Sequence, residues 1–332
     1  MLKNIVLFLL IFAIFGVTAA NAPTFASGYN LDIMARWTGL YGIMAIGAAF
    51  VIIAGGIDLS MGSMVALVGV QFGILINDQN MDPYLAMVIV LVGAMLIGLG
   101  YGLLITKLKL QPFVVTLCGL LVLRSLARFL AQDNKISNFV RPEGGTDIAY
   151  LTNWHVPYLG IPLPLVMLAV IAIVSSLVLN KTTFGRYLKA LGNNEQAARF
   201  SGINTDWITI SAYMICALMA GISAILFAID LNSVGPNEAG TFYELYAIAA
   251  AVLGGCSLRG GTGSILGVVL GTAILRELYQ AIETLEFSEL EGTVIGVVIL
   301  VGVIADEIIR RVVDARRRKR EANASSEIAA SG

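Results

Sequence analysis

Leu85-Ala86-Met87-Val88-Ile89-Val90-Leu91-Val92-Gly93-Ala94-Met95-Leu96-Ile97-Gly98-Leu99-Gly100-Tyr101-Gly102-Leu103-Leu104-Ile105 is a run of 21 residues without a charge. As a helix rising 1.5 Å per residue it measures about 31 Å, the thickness of the hydrocarbon core of a bilayer. The same reading extends outward along the chain. Apolar runs near 5–20, 38–55, 60–77, 85–105, 112–131, 162–180, 209–229, 243–256, 264–282 and 292–309 predict about ten transmembrane helices. Hydrophobic residues fill 58% of the 332 positions and charged residues 13%, with a mean hydropathy of +0.84. A soluble domain carries about 25% charged residues, so the solvent of this chain is lipid. The expected fold class is an all-α, polytopic membrane helical bundle. The 243–256 run is short, as a re-entrant segment or one packed inside the bundle would be.

Loop charge sets the expected sidedness. Seven of the 21 cations form the closing cluster Arg310, Arg311, Arg316, Arg317, Arg318, Lys319 and Arg320. Lys107, Lys109, Lys181, Arg186, Lys189, Arg199 and Arg259 fall in loops on the same side, and Lys3 precedes the first run. Cationic loops stay cytoplasmic, so both termini are expected there. Recognition of anionic lipid is the other reading of the cluster. The opposite side holds Asp78, Asp82, Glu238 and the acidic run from Glu283 to Glu291. Residues 1–309 then form one membrane domain, with a cytoplasmic loop at 181–208 and a periplasmic loop at 132–161. Residues 310–332 form a basic tail expected to be disordered. Ala20-Asn21-Ala22 after the first apolar run imitates a signal cleavage site; a retained first helix is the competing reading. Small residues recur where helices would approach closely, at Gly98, Gly100 and Gly102, Gly267 and Gly271, and Gly292 and Gly296.

Several functions are excluded by what the chain lacks. It has no phosphate-binding G-x-x-x-x-G-K-[ST] loop, no H-E-x-x-H and no G-x-S-x-G. Its single histidine, His155, cannot build a metal site, and Cys118, Cys216 and Cys256 read as packing residues within apolar runs. No catalytic residue, metal or cofactor is expected on this chain, and a net charge of -1 offers nothing to nucleic acid.

Two constellations remain. In Gly55-Gly56-Ile57-Asp58-Leu59-Ser60-Met61-Gly62-Ser63 the glycines let the chain leave helical geometry. Asp58 and Ser60 then stand at the next helix start, placed to cap its amides or to take part in passage. In Thr183 to Ile203, Asn193 or Asn194 caps a short helix, Glu195 sits at its positive end, Ala197, Ala198 and Phe200 give it an apolar face, and Gly202 ends it. Such a helix, lying flat on the membrane, suits docking to a soluble partner; a plain surface loop is the alternative. A faint repeat links Ala45-Ile46-x-Ala48-Ala49 before Gly55-Gly56 with Ala247-Ile248-x-Ala250-Ala251 before Gly254-Gly255.

These stretches carry a family likeness. Phe50 through Gly62, Lys109-Leu110-Gln111-Pro112 through Leu117, Gly185 through Ile203, and Glu244 through Gly255 leading to Gly260-Gly261-Thr262-Gly263-Ser264 occur in family order. Together they resemble the membrane permease subunit of ribose-type ATP-binding-cassette importers. The resemblance implies a bacterial inner-membrane conduit for a sugar or sugar-like solute. Its partners would be a separate ATPase subunit, which binds ATP and magnesium, a periplasmic binding protein and a second permease copy. Gly185, Lys189, Gly192, Asn193, Glu195, Ala197, Ala198 and Gly202 become the residues expected to couple to the ATPase. The family commonly carries Asp two residues after the glutamate matching Glu244, where this chain has Tyr246.

Charges within spans are expensive and mark function. Asp58, Ser60, Arg124, Glu244 and Arg276 are therefore the candidate pathway or gating residues. Arg128 lies one turn beyond Arg124 on the same face. Arg276 and Glu277 point in different directions and are expected to pair with neighbours rather than each other. An ion- or proton-driven secondary transporter is the rival reading, against which intramembrane carboxylates are few.

Overall fold

The computed structural model describes residues 2–139 and 148–290, with residues 292–294, 296, 297, 300, 301 and 304 beyond them. The tenth expected span and the basic tail otherwise lie outside the described residues, as does the middle of the 132–161 loop.

Twelve helices run through the described residues: α1 (Leu2–Asn21), α2 (Gly28–Ile53), α3 (Met61–Asn77), α4 (Pro83–Lys107), α5 (Pro112–Ala131), α6 (Tyr150–Asn153), α7 (Leu163–Lys181), α8 (Thr183–Asn193), α9 (Glu195–Phe200), α10 (Thr205–Asp230), α11 (Tyr243–Leu253) and α12 (Ile265–Thr284). Nine of them match the first nine apolar runs. Six (α2, α4, α5, α7, α10 and α12) are long and apolar enough to cross a membrane. Local chemistry fixes most starts. Ser27, Asp82, Thr182, Asn194, Asn204 and Ser264 each accept a first-turn backbone amide through the side chain. Pro83, Pro112 and Pro164 occupy early positions, where a missing N–H costs nothing.

Burial separates an inner from an outer layer. The most apolar window of α2 is 89% buried and those of α10 and α12 are 72% buried, against 28% for α4 and α5 and 22% for α7. Outer helices turn Val88, Leu96, Leu121, Val122, Ile173 and Leu177 outward, as a lipid-facing surface requires. α2 begins ten residues before its apolar run because its polar start is satisfied: Arg36 binds Asp230 at 2.9 Å and Asp32 at 3.3 Å, and Asp32 holds His155. α1 lies against α12 through Leu7, Ile11, Ile14, Leu270 and Ile274.

Glycine sets the helix spacing. A Cβ at Gly98 would stand 2.6 Å from the Tyr213 carbonyl oxygen, and one at Gly102 would stand 2.6 Å from the Ile210 Cα, so α4 and α10 touch backbone to backbone. Gly267 faces Gly254 and Gly271 faces the Ala250 carbonyl, an intramolecular α11–α12 seam. The faint repeat has a local counterpart. Gly55 (φ +88°) and Gly255 (φ +96°) end α2 and α11 in the left-handed conformation. The amides of Gly56 and Cys256 then reach back to Val51 and Ala251, each at 2.9 Å.

Gly98→Val should destabilise the purified protein by about 1–3 kcal/mol through overpacking. Gly100→Val, where nothing lies within 4 Å, should leave the melting temperature in detergent unchanged.

Candidate functional site

The residues expected to couple to a partner gather at one end of the bundle. Thr182 caps α8, and Gly185 sits so close to the Leu179 backbone that only hydrogen fits. The α7–α8 corner is therefore sharp. Lys189 donates to Asn180 at 2.9 Å and braces that corner. Gly192, near the end of α8, abuts the Ile53 carbonyl and the Gly261 backbone, and Asn193 covers Gly261. The Gly261 amide donates to the Ile53 carbonyl at 2.9 Å. Three chain segments thus meet through bare backbone: the end of α2, the end of α8 and the α11–α12 loop. Asn194, rather than Asn193, caps α9. Gly202 (φ +82°) follows α9, and Ile203 reaches back to Ala198 at 3.1 Å. Arg199 binds Glu195 at 3.1 Å and Asp206 at 2.9 Å, tying α9 to α10.

One expectation needs correcting. Ala197, Ala198 and Phe200 do not form a single apolar face. A six-residue helix has fewer than two turns, so Ala198 points into the bundle while Ala197 stays exposed and Phe200 is 92% exposed. Beside α9 lies a cleft of about 490 Å³ lined by Gly55, Lys109, Gln111, Asn193, Glu195 and Arg259, among others.

The pathway candidates occupy the interior. Residues 54–60 run without helix from the α2 cap to Met61. Thr116 and Tyr213 donate to the Ile57 carbonyl at 3.2 and 3.4 Å. Asp58, 4% exposed, accepts from the Ser60 amide at 2.8 Å and the Ser60 hydroxyl at 2.7 Å, with the buried Cys216 nearby. Asp58 and Ser60 therefore bond each other in a local turn and do not cap α3 as expected. Glu244, from the first turn of α11, lies against that turn instead: its Oε2 stands where a side chain at Gly62 would have to go. At 17 and 11 residues, α3 and α11 measure about 26 and 17 Å, so both are interrupted helices. Their N-termini converge on one carboxylate, which suits the partial positive charge there.

Arg124 donates through Nη1 to the carbonyls of Pro236 at 3.0 Å and Ala239 at 2.6 Å. Arg128 instead pairs with Asp133 at 2.7 Å and holds that exposed carboxyl below its ordinary range. Arg276 lies among aromatic rings. Its guanidinium lies over Tyr279, Trp37 and Tyr41 at 4.2, 4.9 and 5.1 Å. The cavity beside it is about 20 Å³, room for one water. Tyr246 stands against Tyr41 at 6.0 Å and completes this aromatic cage. Both Glu277 carboxylate oxygens are buried without a hydrogen-bond partner among the described residues.

Sequence reasoning missed the partners: Ile53 and Gly261 at the junction, Tyr213 and Cys216 around residues 57–58, and the 236–239 carbonyls under Arg124. Glycine pairs at 55–56 and 260–261 were the available signal for the first; backbone carbonyls leave no signal at all.

A lipid-embedded bundle with interrupted helices converging on buried polar groups, and with a rigid backbone joint at one end, has the architecture of a membrane conduit. Residues 30–303 match the model of a family described as the branched-chain amino acid transport system / permease component. The ribose import permease of Bacillus subtilis (strain 168) is 34% identical over 90% of this chain and 91% of its own length. The ribose import permease of Escherichia coli (strain K12) is 34% identical over 92% of each chain. The L-arabinose transport system permease of Escherichia coli (strain K12) is 32% identical over 90% of this chain and 89% of its own. No solved structure matches. The chain belongs to this permease family. It is the permease subunit of an ATP-binding-cassette importer and not an enzyme.

Asp58→Ala leaves the buried Ser60 amide and hydroxyl without their acceptor and should cost about 1–3 kcal/mol. Asp58→Asn, which keeps a carbonyl oxygen in place, should cost less in the same thermal melts.

Proposed function

We propose that this chain is the multi-pass inner-membrane subunit through which a bacterial importer passes a sugar or sugar-like solute. About ten spans and cytoplasmic termini accord with the loop charges. The working partners are a separate ATPase subunit, where ATP and magnesium bind, a periplasmic sugar-binding protein and a second permease copy. The ribose and arabinose permeases among the relatives support a pentose-like solute and favour this reading over an ion- or proton-coupled secondary transporter.

The observation that carries the mechanism is the joint of Gly192 with Ile53 and Gly261. Closure of two ATPases on nucleotide would push α8 and α9. With no side chain at Gly192 to absorb the push, it passes directly to the end of α2 and the α11–α12 loop. Each of these adjoins an interrupted helix, α3 through residues 54–60 and α11 directly. Asp58, Ser60, Glu244 and Arg124 surround the point where those interruptions meet and are the proposed pathway and gate. Arg276, packed among aromatic rings, holds the α2–α12 contact behind it.

Gly192→Leu and Glu195→Ala, assayed with ATPase and binding protein in vesicles, should insert normally. They should hydrolyse ATP yet lose about tenfold or more of the uptake, the scale of a typical coupling free energy. Wild-type coupling in both would remove the assignment. The chain alone in vesicles should accumulate nothing; uptake driven by a proton gradient would instead establish the secondary transporter.

A further inference from the structure

We infer that Arg124 and Arg128 are positioning residues that seat residues 235–242 as a removable plug on the first turn of α3. The inference rests on the permease reading and names the part that moves. Between α10 and α11 the chain is not helical, and Gly240 (φ +71°) and Phe242 (φ +64°) bend it back into the bundle. Gly240 and Gly62 each lie against the other's carbonyl, with the Val65 side chain beside them, so the segment and α3 meet backbone to backbone.

Both arginines of α5 reach this segment from one helix face. Arg124 takes two of its carbonyls with a single Nη1. Arg128 holds Asp133, and Asn237 donates to that same Asp133 oxygen at 3.4 Å. Just outside, Ile136 and Ser137 pair with Val234 and Ser233 in a two-stranded ladder, β1 (Ile136–Ser137) with β2 (Ser233–Val234). Asn77 of α3 donates to the Ser137 carbonyl at 2.8 Å and holds the ladder, but residues 235–242 themselves are hydrogen-bonded to α5 and Asp133 and only packed against α3. Release of these few bonds would free it from α3 without unfolding a helix.

What lies beneath makes the withdrawal useful. The Glu244 Oε2 lies against Gly62 there, and Ser63 Oγ is buried with no hydrogen-bond partner among the described residues. These are donors and acceptors suited to the hydroxyl groups of a sugar, placed at helix N-termini inside the membrane as transporter sites are. Gly240 faces this floor and Pro236 is buried, while Asn237 and Glu238 are exposed.

The test uses the full importer in vesicles, with Cys118→Ser, Asp133→Cys and Asn237→Cys in the permease. A disulfide should form without ATP. The cross-linked importer should still hydrolyse ATP while its uptake of labelled ribose or L-arabinose falls by about tenfold or more, recovering on reduction. No cross-link at rest, or unchanged uptake in the cross-linked form, overturns the proposal. Arg124→Gln should let erythritol leak down its gradient without ATP about tenfold faster than wild type, and vesicles as tight as wild type overturn it. If that variant does not insert, the cross-linked pair decides. An unmodified importer that accumulates neither sugar with ATP, whatever its erythritol leak, would count against the permease reading instead.

Discussion

In lipid, a backbone amide or carbonyl that leaves helical geometry has no water to bond. Every break in this bundle is therefore a place where the protein supplies a substitute. The break after α2 is closed by a glycine cap, by Thr116 and Tyr213 on the Ile57 carbonyl, and by Asp58 on Ser60. The break before α11 is closed by Arg124 on two carbonyls. Glu244 then stands at the opposite break, its Oε2 against Gly62. The intramembrane charges that stand out in the sequence are, in the structure, largely the bonding partners of interrupted backbone. That duty also places them where a polar solute would cross.

Glycine completes the arrangement from the other direction. At Gly192, Gly62 and Gly240 the neighbour of each glycine is another segment's backbone. Such contacts transmit displacement without the slack of a side chain. They join the surface helices α8 and α9 to the helix ends in the interior through residues 54–60. α9 offers Phe200 to the exterior and returns only Ala198 to the bundle, the division of labour expected of a part that meets a second protein.

Much of this was legible in the sequence. Helices were marked by length and apolarity, so nine runs found nine helices, and the 243–256 run, read as short, is an 11-residue helix. Boundaries drifted where polar residues belong to a span. α2 starts at Gly28 because Asp32 and Arg36 find partners at positions 155 and 230, and no local pattern announces a partner 194 residues away. Roles were harder than places. Arg276 read as an ion-pair or pathway charge, and its packing against the rings of Trp37, Tyr41 and Tyr279 left no signal in the sequence. Tyr246, a departure from the family pattern, makes sense once that cage is seen. Asp58 was placed beside a helix start correctly, but its partner is the hydroxyl two residues on.

The pairing of Arg36 has a consequence for biogenesis. α2 is enclosed by protein in the finished bundle, yet α7, α10 and α12 are synthesised long after it. Until they arrive it must wait in lipid or at the insertion machinery with an arginine near one end. Asp32, one turn earlier on the same face, already lies 3.3 Å from Arg36, so a nascent α2 carries its own counterion. Asp230, the last residue of α10, then takes the other guanidinium nitrogen. The late helix docks onto a charge that its predecessor had kept neutralised, and the order of synthesis is accommodated within a single side chain's two hands.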